Sequence, residues 1–203
     1  MRLPTSVPLD KAGVYCINCL ADRIQRFVDG EGVKYRCLAC KEVSPRAVII
    51  DDVVAWWLDE ERNYWHERVG LIVLNKANKI LCTMESTFPA SYTIPSHHMV
   101  RGEDPDALAL RTLKEVIKIP FGEGLEPFTE FDSTGDSCRR GSEHHRWHIY
   151  RLWVPNEDDF KFLNRDMSLH WFTLAELRKN DYIAYALKIM VTKMGEDILK
   201  KKK

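Results

Sequence analysis

Two Cys-x-x-Cys pairs near the start of the chain, Cys16/Cys19 and Cys37/Cys40, lie seventeen residues apart. Each tight pair can present two thiolates to one tetrahedral ion, and seventeen residues suffice for a hairpin that returns the second pair to the first. A unit of about 30 residues has almost no core, so metal binding has to supply most of its folding energy. The expectation is one structural zinc per chain held by Cys16, Cys19, Cys37 and Cys40, with an iron–sulfur centre or a redox dithiol as the alternatives. Four thiolates leave no open coordination position, which separates this metal from catalysis.

The remainder has room for one good core. The chain has 203 residues, 45% hydrophobic and 30% charged, enough for a single domain plus this small appendage. Lys+Arg and Asp+Glu both number 30, so net charge gives no reason for bulk nucleic-acid affinity, although a local basic patch is compatible with it. No run of 18 apolar residues is present, which excludes a spanning helix. The opening MRLPTSVPLDKAG lacks the apolar stretch of a secretory signal. The expectation is a cytoplasmic chain with no membrane partner, in which paired cysteines favour metal over disulfides.

The pattern divides into a flexible lead-in (1–13), the cysteine unit (14–45), a connection (46–66), a main domain (67–195) and a basic tail (196–203). Strands are expected at Arg68–Leu74, Ile80–Met84, Phe128–Phe131, Trp147–Val154 and Leu169–Phe172. Asp104-Pro105 is a helix start, with Ala107, Leu110, Leu113 and Ile117 as the core-facing stripe and Pro120 as the stop. Thr173 and Glu176 have capping-box spacing, and Tyr182–Met194 reads as a last amphipathic helix. Asp132–Glu143 reads as a polar, mobile loop, and Trp56-Trp57 as packing between the two units. The class is α+β.

The stretch from His97 to Ile119, HHMVRGEDPDALALRTLKEVIKI, places Glu103 in a polar loop and Arg111 and Glu115 on the helix that follows. It resembles the signature loop-helix of the Nudix hydrolase family. Glu103, Arg111, Leu113, Glu115 and Ile119 fall in register. His97 stands at the first glycine, Lys118 at the second, and Thr112 and Val116 stand where two helix carboxylates should be. Trp171 to Leu177 is similar to the family's Trp-hydrophobic-Thr-x-x-Glu-Leu element. The resemblance covers roughly residues 66–195. It implies an α/β/α sandwich with a mixed sheet, here preceded by a unit that resembles a zinc ribbon. Zinc ribbons also precede Nudix domains in enzymes resembling the NADH pyrophosphatases, whose aromatic-proline motif is not found here.

The resemblance implies diphosphate cleavage with Mg²⁺ or Mn²⁺ held by helix glutamates. Val116 cannot ligate and Thr112 is a poor substitute, so Glu115 is the one certain helix ligand for such a metal. Glu103 is the second acid, and in the family its counterpart tends to pair with the arginine, here Arg111. Glu115 and Glu103 are the catalytic candidates if the chain is active. The expectation is a Nudix-fold protein with weak or lost hydrolase activity that binds a nucleotide or nucleotide-derived molecule, a nucleic acid or a protein. The alternative is a divalent-metal-dependent pyrophosphohydrolase of a nucleoside diphosphate linked to another group.

Further candidates are Arg139 and Arg140, with Arg146 and Arg151, for phosphate. Tyr92 and Trp147 are candidates for stacking on a base, or for packing. His97, His98, His144, His145 and His148 could build a second site for zinc or a softer metal, or serve as loop and surface residues. Glu143 is the first choice among late-loop acids, Cys82 reads as core, and Cys138 beside Arg139-Arg140 as a candidate reactive thiol. Around the cysteines, Arg23, Arg26, Lys34, Arg36, Lys41 and Arg46 interleave with Tyr15, Phe27 and Tyr35. That pattern suits nucleic-acid contact and equally suits a solvated docking module.

Overall fold

The computed structural model describes residues 1–85, 90–116, 124–154 and 167–200. Short apolar runs broken by turns make short strands in the N-terminal quarter: β1 (Gly13–Cys16), β2 (Ile24–Asp29), β3 (Gly32–Cys37), β4 (Val43–Ser44) and β5 (Ala47–Ile50). β1 pairs antiparallel with β5, while β2, β3 and β4 form a separate antiparallel sheet. The β2–β3 hairpin turns at Gly30-Glu31, where the Glu31 amide donates to Asp29 Oδ1 at 2.9 Å.

The main domain follows with β6 (Trp56–Leu58), β7 (Tyr64–Leu74), β8 (Ile80–Glu85), β9 (Tyr92–Thr93), β10 (Ser96–His98), α1 (Pro105–Val116), β11 (Glu126–Thr134), β12 (His144–Trp153), β13 (Met167–Phe172), α2 (Leu174–Lys179), α3 (Tyr185–Lys193) and α4 (Gly195–Ile198). The central sheet runs β11-β12-β7-β8-β13, with β6 and β10 on β7 and β9 on β8. β12 runs parallel to β7 over ten residue pairs and the other pairings are antiparallel, so the sheet is mixed.

Strand alternation splits the apolar residues into two layers. Val69, Leu71, Val73, Leu81, Tyr150 and Leu152 face α1 through Leu108, Ala109 and Leu113. Ile72, Leu74, Ile80, Cys82, Trp147 and Ile149 face α2 and α3 through Leu177, Leu187, Met190 and Val191. This is the expected α/β/α sandwich. A third cluster of Leu3, Val7, Tyr15, Val48, Ile50 and Tyr64 joins the N-terminal unit to the sheet.

Local signals place the helix starts. Asp104 Oδ1 accepts from the amides of Asp106 and Ala107 at 2.8 and 3.1 Å. Thr173 and Glu176 form the capping box, with each side chain bonded to the other's backbone amide. The stripe on α1 is rotated from expectation. Leu108, Ala109, Thr112 and Leu113 are buried, whereas Ala107 and Leu110 are exposed. Ile117 and Pro120 lie outside the described residues.

Two further expectations meet a different arrangement. Within the 1–13 lead-in, Leu3 and Val7 are buried, and the amide of Leu3 donates to Arg62 O while Met1 O accepts from Tyr64. The polar segment 135–143 is folded on itself by Gly135 N to Glu143 O (2.8 Å) and Cys138 N to Ser142 O (3.0 Å). It also supplies Arg139 O and Arg140 O to the amides of Ala47 and Ile49 in β5. Polar side chains in sequence read as solvent-facing, and here Asp136 and Ser142 are buried because they are bonded inward. Among the described residues no helix is long and apolar enough to cross a membrane.

Candidate functional site

The β2–β3 hairpin brings the two Cys-x-x-Cys turns together. Cys16 Sγ lies 3.6 Å from Cys40 Sγ, and Cys19 Sγ lies 3.6 Å from Cys37 Sγ. A tetrahedral ion with metal–sulfur bonds of about 2.3 Å spaces its sulfurs by about 3.8 Å. The two turns share one shape: Leu20 and Lys41, each directly after its pair, have φ of 59° and 65° and donate to Cys16 O and Cys37 O at 3.0 Å. The amides of Asn18 and Cys40 point at Cys16 Sγ (3.4 Å) and Cys37 Sγ (3.5 Å), an arrangement that favours thiolate. All six cysteines are free thiols. The group fits one metal ion in a ribbon-like element.

A second group of potential ligands lies under segment 135–143. His66 from β7, His98 from β10, Cys138 from the segment and His145 from β12 each offer a ligand atom, all within 4.8 Å of one another. Such a set could in principle hold a metal. Cys138, a candidate reactive thiol from its place beside Arg139-Arg140, is 3% exposed and so lacks the access that reactivity needs. Burial alone would raise its pKa; the imidazoles of His145, His66 and His98 against the sulfur outweigh burial and hold it well below the ordinary thiol range. Of the histidines considered from sequence, His98 and His145 belong here and His97, His144 and His148 do not. His66 was missed, since nothing local marks a strand histidine whose partners lie 32, 72 and 79 residues away.

On the loop-helix, Arg111 and Glu103 form a forked pair, with Arg111 Nη2 at 2.8 and 3.0 Å from the two carboxylate oxygens and Nε at 3.2 Å. Glu103 also accepts from the Val100 amide at 3.2 Å, so the pair braces the loop. Thr112 is fully buried, with its hydroxyl 3.1 Å from His97 Nδ1. Val116 packs against the α1 core. Glu115 is half exposed, and its nearest partner is Arg111 Nη1 at 3.7 Å.

The sequence profile of the NUDIX domain matches residues 65–191. The chain belongs to the Nudix family. Solved structures agree on the fold. The NUDIX domain of Shewanella oneidensis NrtR, complexed with ADP ribose, is 14% identical over 66% of this chain and 88% of its own, at a TM-score of 0.53. A C. elegans Ap4A hydrolase in a binary complex is 20% identical over 64% and 97%, at 0.50. The MutT protein from Methanosarcina mazei Go1 is 9% identical over 67% and 96%, at 0.54. Among curated proteins, none matches this sequence.

A Nudix helix is expected to gather several carboxylate oxygens around a hard divalent ion. The described residues here do not fit that role. Of the three helix positions, one is sealed against His97, one is a valine packed against the core and one carries the single carboxylate Glu115. No group of three potential ligand atoms containing Glu115 or Glu103 occurs among the described residues.

The expected ligand residues are also dispersed. Trp147 is 1% exposed, with its Nε1 donating to Asp136 Oδ2 at 3.0 Å and its ring stacked on Phe131, so neither face is open to a base. Tyr92 packs edge-on to His170 and Phe172 in the same layer, across the sheet from α1. Arg140 pairs with Asp51, Arg146 with Asp132, and Arg151 with Glu126, while Glu143 meets Arg46 and the N-terminal amine. Arg139 is half-buried on the segment over β5. On the α1 side the sheet instead presents His148 bridging Glu67 (2.7 Å) and Glu130 (2.9 Å), at a depression also lined by Pro127, Thr129 and Tyr150. Sequence alternation marked His148 for solvent; it is instead 8% exposed, closed in by Glu67 and Glu130 on either side.

Proposed function

We propose that this Nudix protein binds a nucleotide-derived small molecule and has weak or no diphosphate hydrolase activity. The observation that carries this reading is the state of the signature helix. Thr112 is bonded to His97 and Val116 is an alkyl side chain packed against the core, so neither offers a carboxylate to a metal ion. A nucleotide ligand is supported by the NrtR domain bound to ADP ribose and by the Ap4A hydrolase, both similar in fold. Zinc at Cys16, Cys19, Cys37 and Cys40 completes a cytoplasmic two-part protein in this reading, and the basic ribbon-like unit is its docking module.

The competing reading is an active metal-dependent hydrolase. It is favoured by the intact Glu103–Arg111 brace and by the exposed Glu115 beside it. Turnover of ADP-ribose, NADH, dinucleoside polyphosphates and nucleoside triphosphates, measured with Mg²⁺ or Mn²⁺ in the wild type and in Glu115→Gln, separates the two. Saturable binding of one of these with no turnover is the expected result. Robust turnover abolished by Glu115→Gln would overturn the proposal.

A further inference from the structure

We propose that His66, His98, Cys138 and His145 bind a second zinc ion, in a closed structural site that fastens segment 135–143, and through it the ribbon-like unit, onto the Nudix sheet. The site is assembled from three neighbouring strands. His145 lies opposite His66 in the β12–β7 register, and His98 lies opposite Arg68, two residues along β7 and on the same face. Cys138 closes the group from above.

The protein interior is otherwise a poor place for these rings. His66 and His145 are fully buried. His98 Nε2 and both nitrogens of His145 are buried with no hydrogen-bond partner. Buried polar atoms are nearly always satisfied, and several unsatisfied imidazole nitrogens in one place mark a missing partner. The spacing suits a metal. His66 Nδ1 is 3.4 Å from Cys138 Sγ. Ligand bonds of about 2.0 Å to nitrogen and 2.3 Å to sulfur, set tetrahedrally, give about 3.5 Å. Three imidazoles and one thiolate are donors that select zinc over magnesium or calcium.

The surroundings complete the arrangement. Asp136 Oδ2 lies 3.3 Å from His145 Nδ1 and accepts from Trp147 Nε1 at 3.0 Å. A carboxylate behind a ligating histidine fixes its ring and raises its basicity. The Cys138 thiolate and the Asp136 carboxylate offset the two charges of one Zn²⁺, and the Arg68 guanidinium opposite His98 adds one positive charge to the surroundings. Four protein ligands leave no open position, so the ion is structural. Its mechanical reach follows from the segment's other bonds. Cys138 O and Ser142 O accept from Arg46 at 3.0 and 3.2 Å, and Arg139 O and Arg140 O accept from β5.

The test uses the full chain, purified under reducing conditions without added metal. Elemental analysis should give about two zinc ions per chain. After exchange with ¹¹³Cd, NMR should show two resonances, one in the four-sulfur range and one well upfield for a single thiolate with three imidazoles. Cys138→Ala/His145→Ala should lose one equivalent and the upfield resonance, keeping the four-sulfur signal. A wild type with only the four-sulfur signal, or a double variant that still holds two ions, overturns the proposal. If the variant does not fold, the wild-type cadmium spectrum decides alone.

Discussion

A basic residue on a strand, such as Arg151, reads in sequence as a phosphate contact; in the fold its guanidinium is an internal clamp. It is 2% exposed, donates to Glu126 through Nε at 3.0 Å, and donates through Nη1 to the carbonyls of Asp197 and Ile198 at the end of α4. Arg151→Met removes the cation paired with Glu126 and one donor from each of two carbonyls. The expected loss is about 3 kcal/mol of stability, visible as a lower urea midpoint. Ligand affinity should change little, because this side chain faces away from α1. Thr112 gives the opposite lesson. That a carboxylate is missing there is plain from the spacing. That its replacement is bonded to His97 depends on β10 lying beside β7, which no local pattern encodes.

At the scale of elements, local chemistry was legible and facing was not. The caps of α1 and α2 and both Cys-x-x-Cys turns depend on neighbours within four residues, and all appear as expected. The stripe of α1 failed because Ala107, Leu108, Ala109 and Leu110 are all apolar, so two helical faces fit the same sequence. Alanine substitution separates the faces: Leu108→Ala should cost about 2–5 kcal/mol, and Leu110→Ala, at an exposed position, within about 0.5 kcal/mol, both measured by chemical denaturation. Segment 135–143 offers a second check. Gly141 has φ of +86°, and a Cβ there would lie 2.8 Å from Ala47 O and Val48 Cα. Gly141→Ala should cost more than about 2 kcal/mol, with faster amide exchange at Ala47 and Ile49, whose hydrogen bonds this segment receives.

Across the whole molecule, the Nudix sandwich was legible because one loop-helix and one capping element carry the family's spacing. The joint between the two parts was legible only in Trp56, which packs against it. It is made by Leu3, Val7, Val48 and Tyr64, and by a segment whose polar composition reads as solvent-exposed. Preventing metal binding at the four cysteines should act locally. In Cys16→Ser/Cys37→Ser, amides of β2, β3 and β4 should lose exchange protection while β7 and β12 keep theirs. Equal loss in both regions would mean the two parts fold as one unit.

The parallel pairing of β7 with β12 sets an order on the nascent chain. Trp65 meets His144 and Leu74 meets Trp153, so each partner is synthesised 79 residues later. At about 5–20 residues per second, β7 leaves the ribosome roughly 4–16 s before β12 arrives to cover one of its edges. The cysteine hairpin, whose ligands span only Cys16 to Cys40, can close within that interval. β7, apolar from Val69 to Leu74, then waits beside a finished N-terminal module, with β6, β8 and β10 as its early neighbours. Aggregation during slow translation should accordingly start from β7.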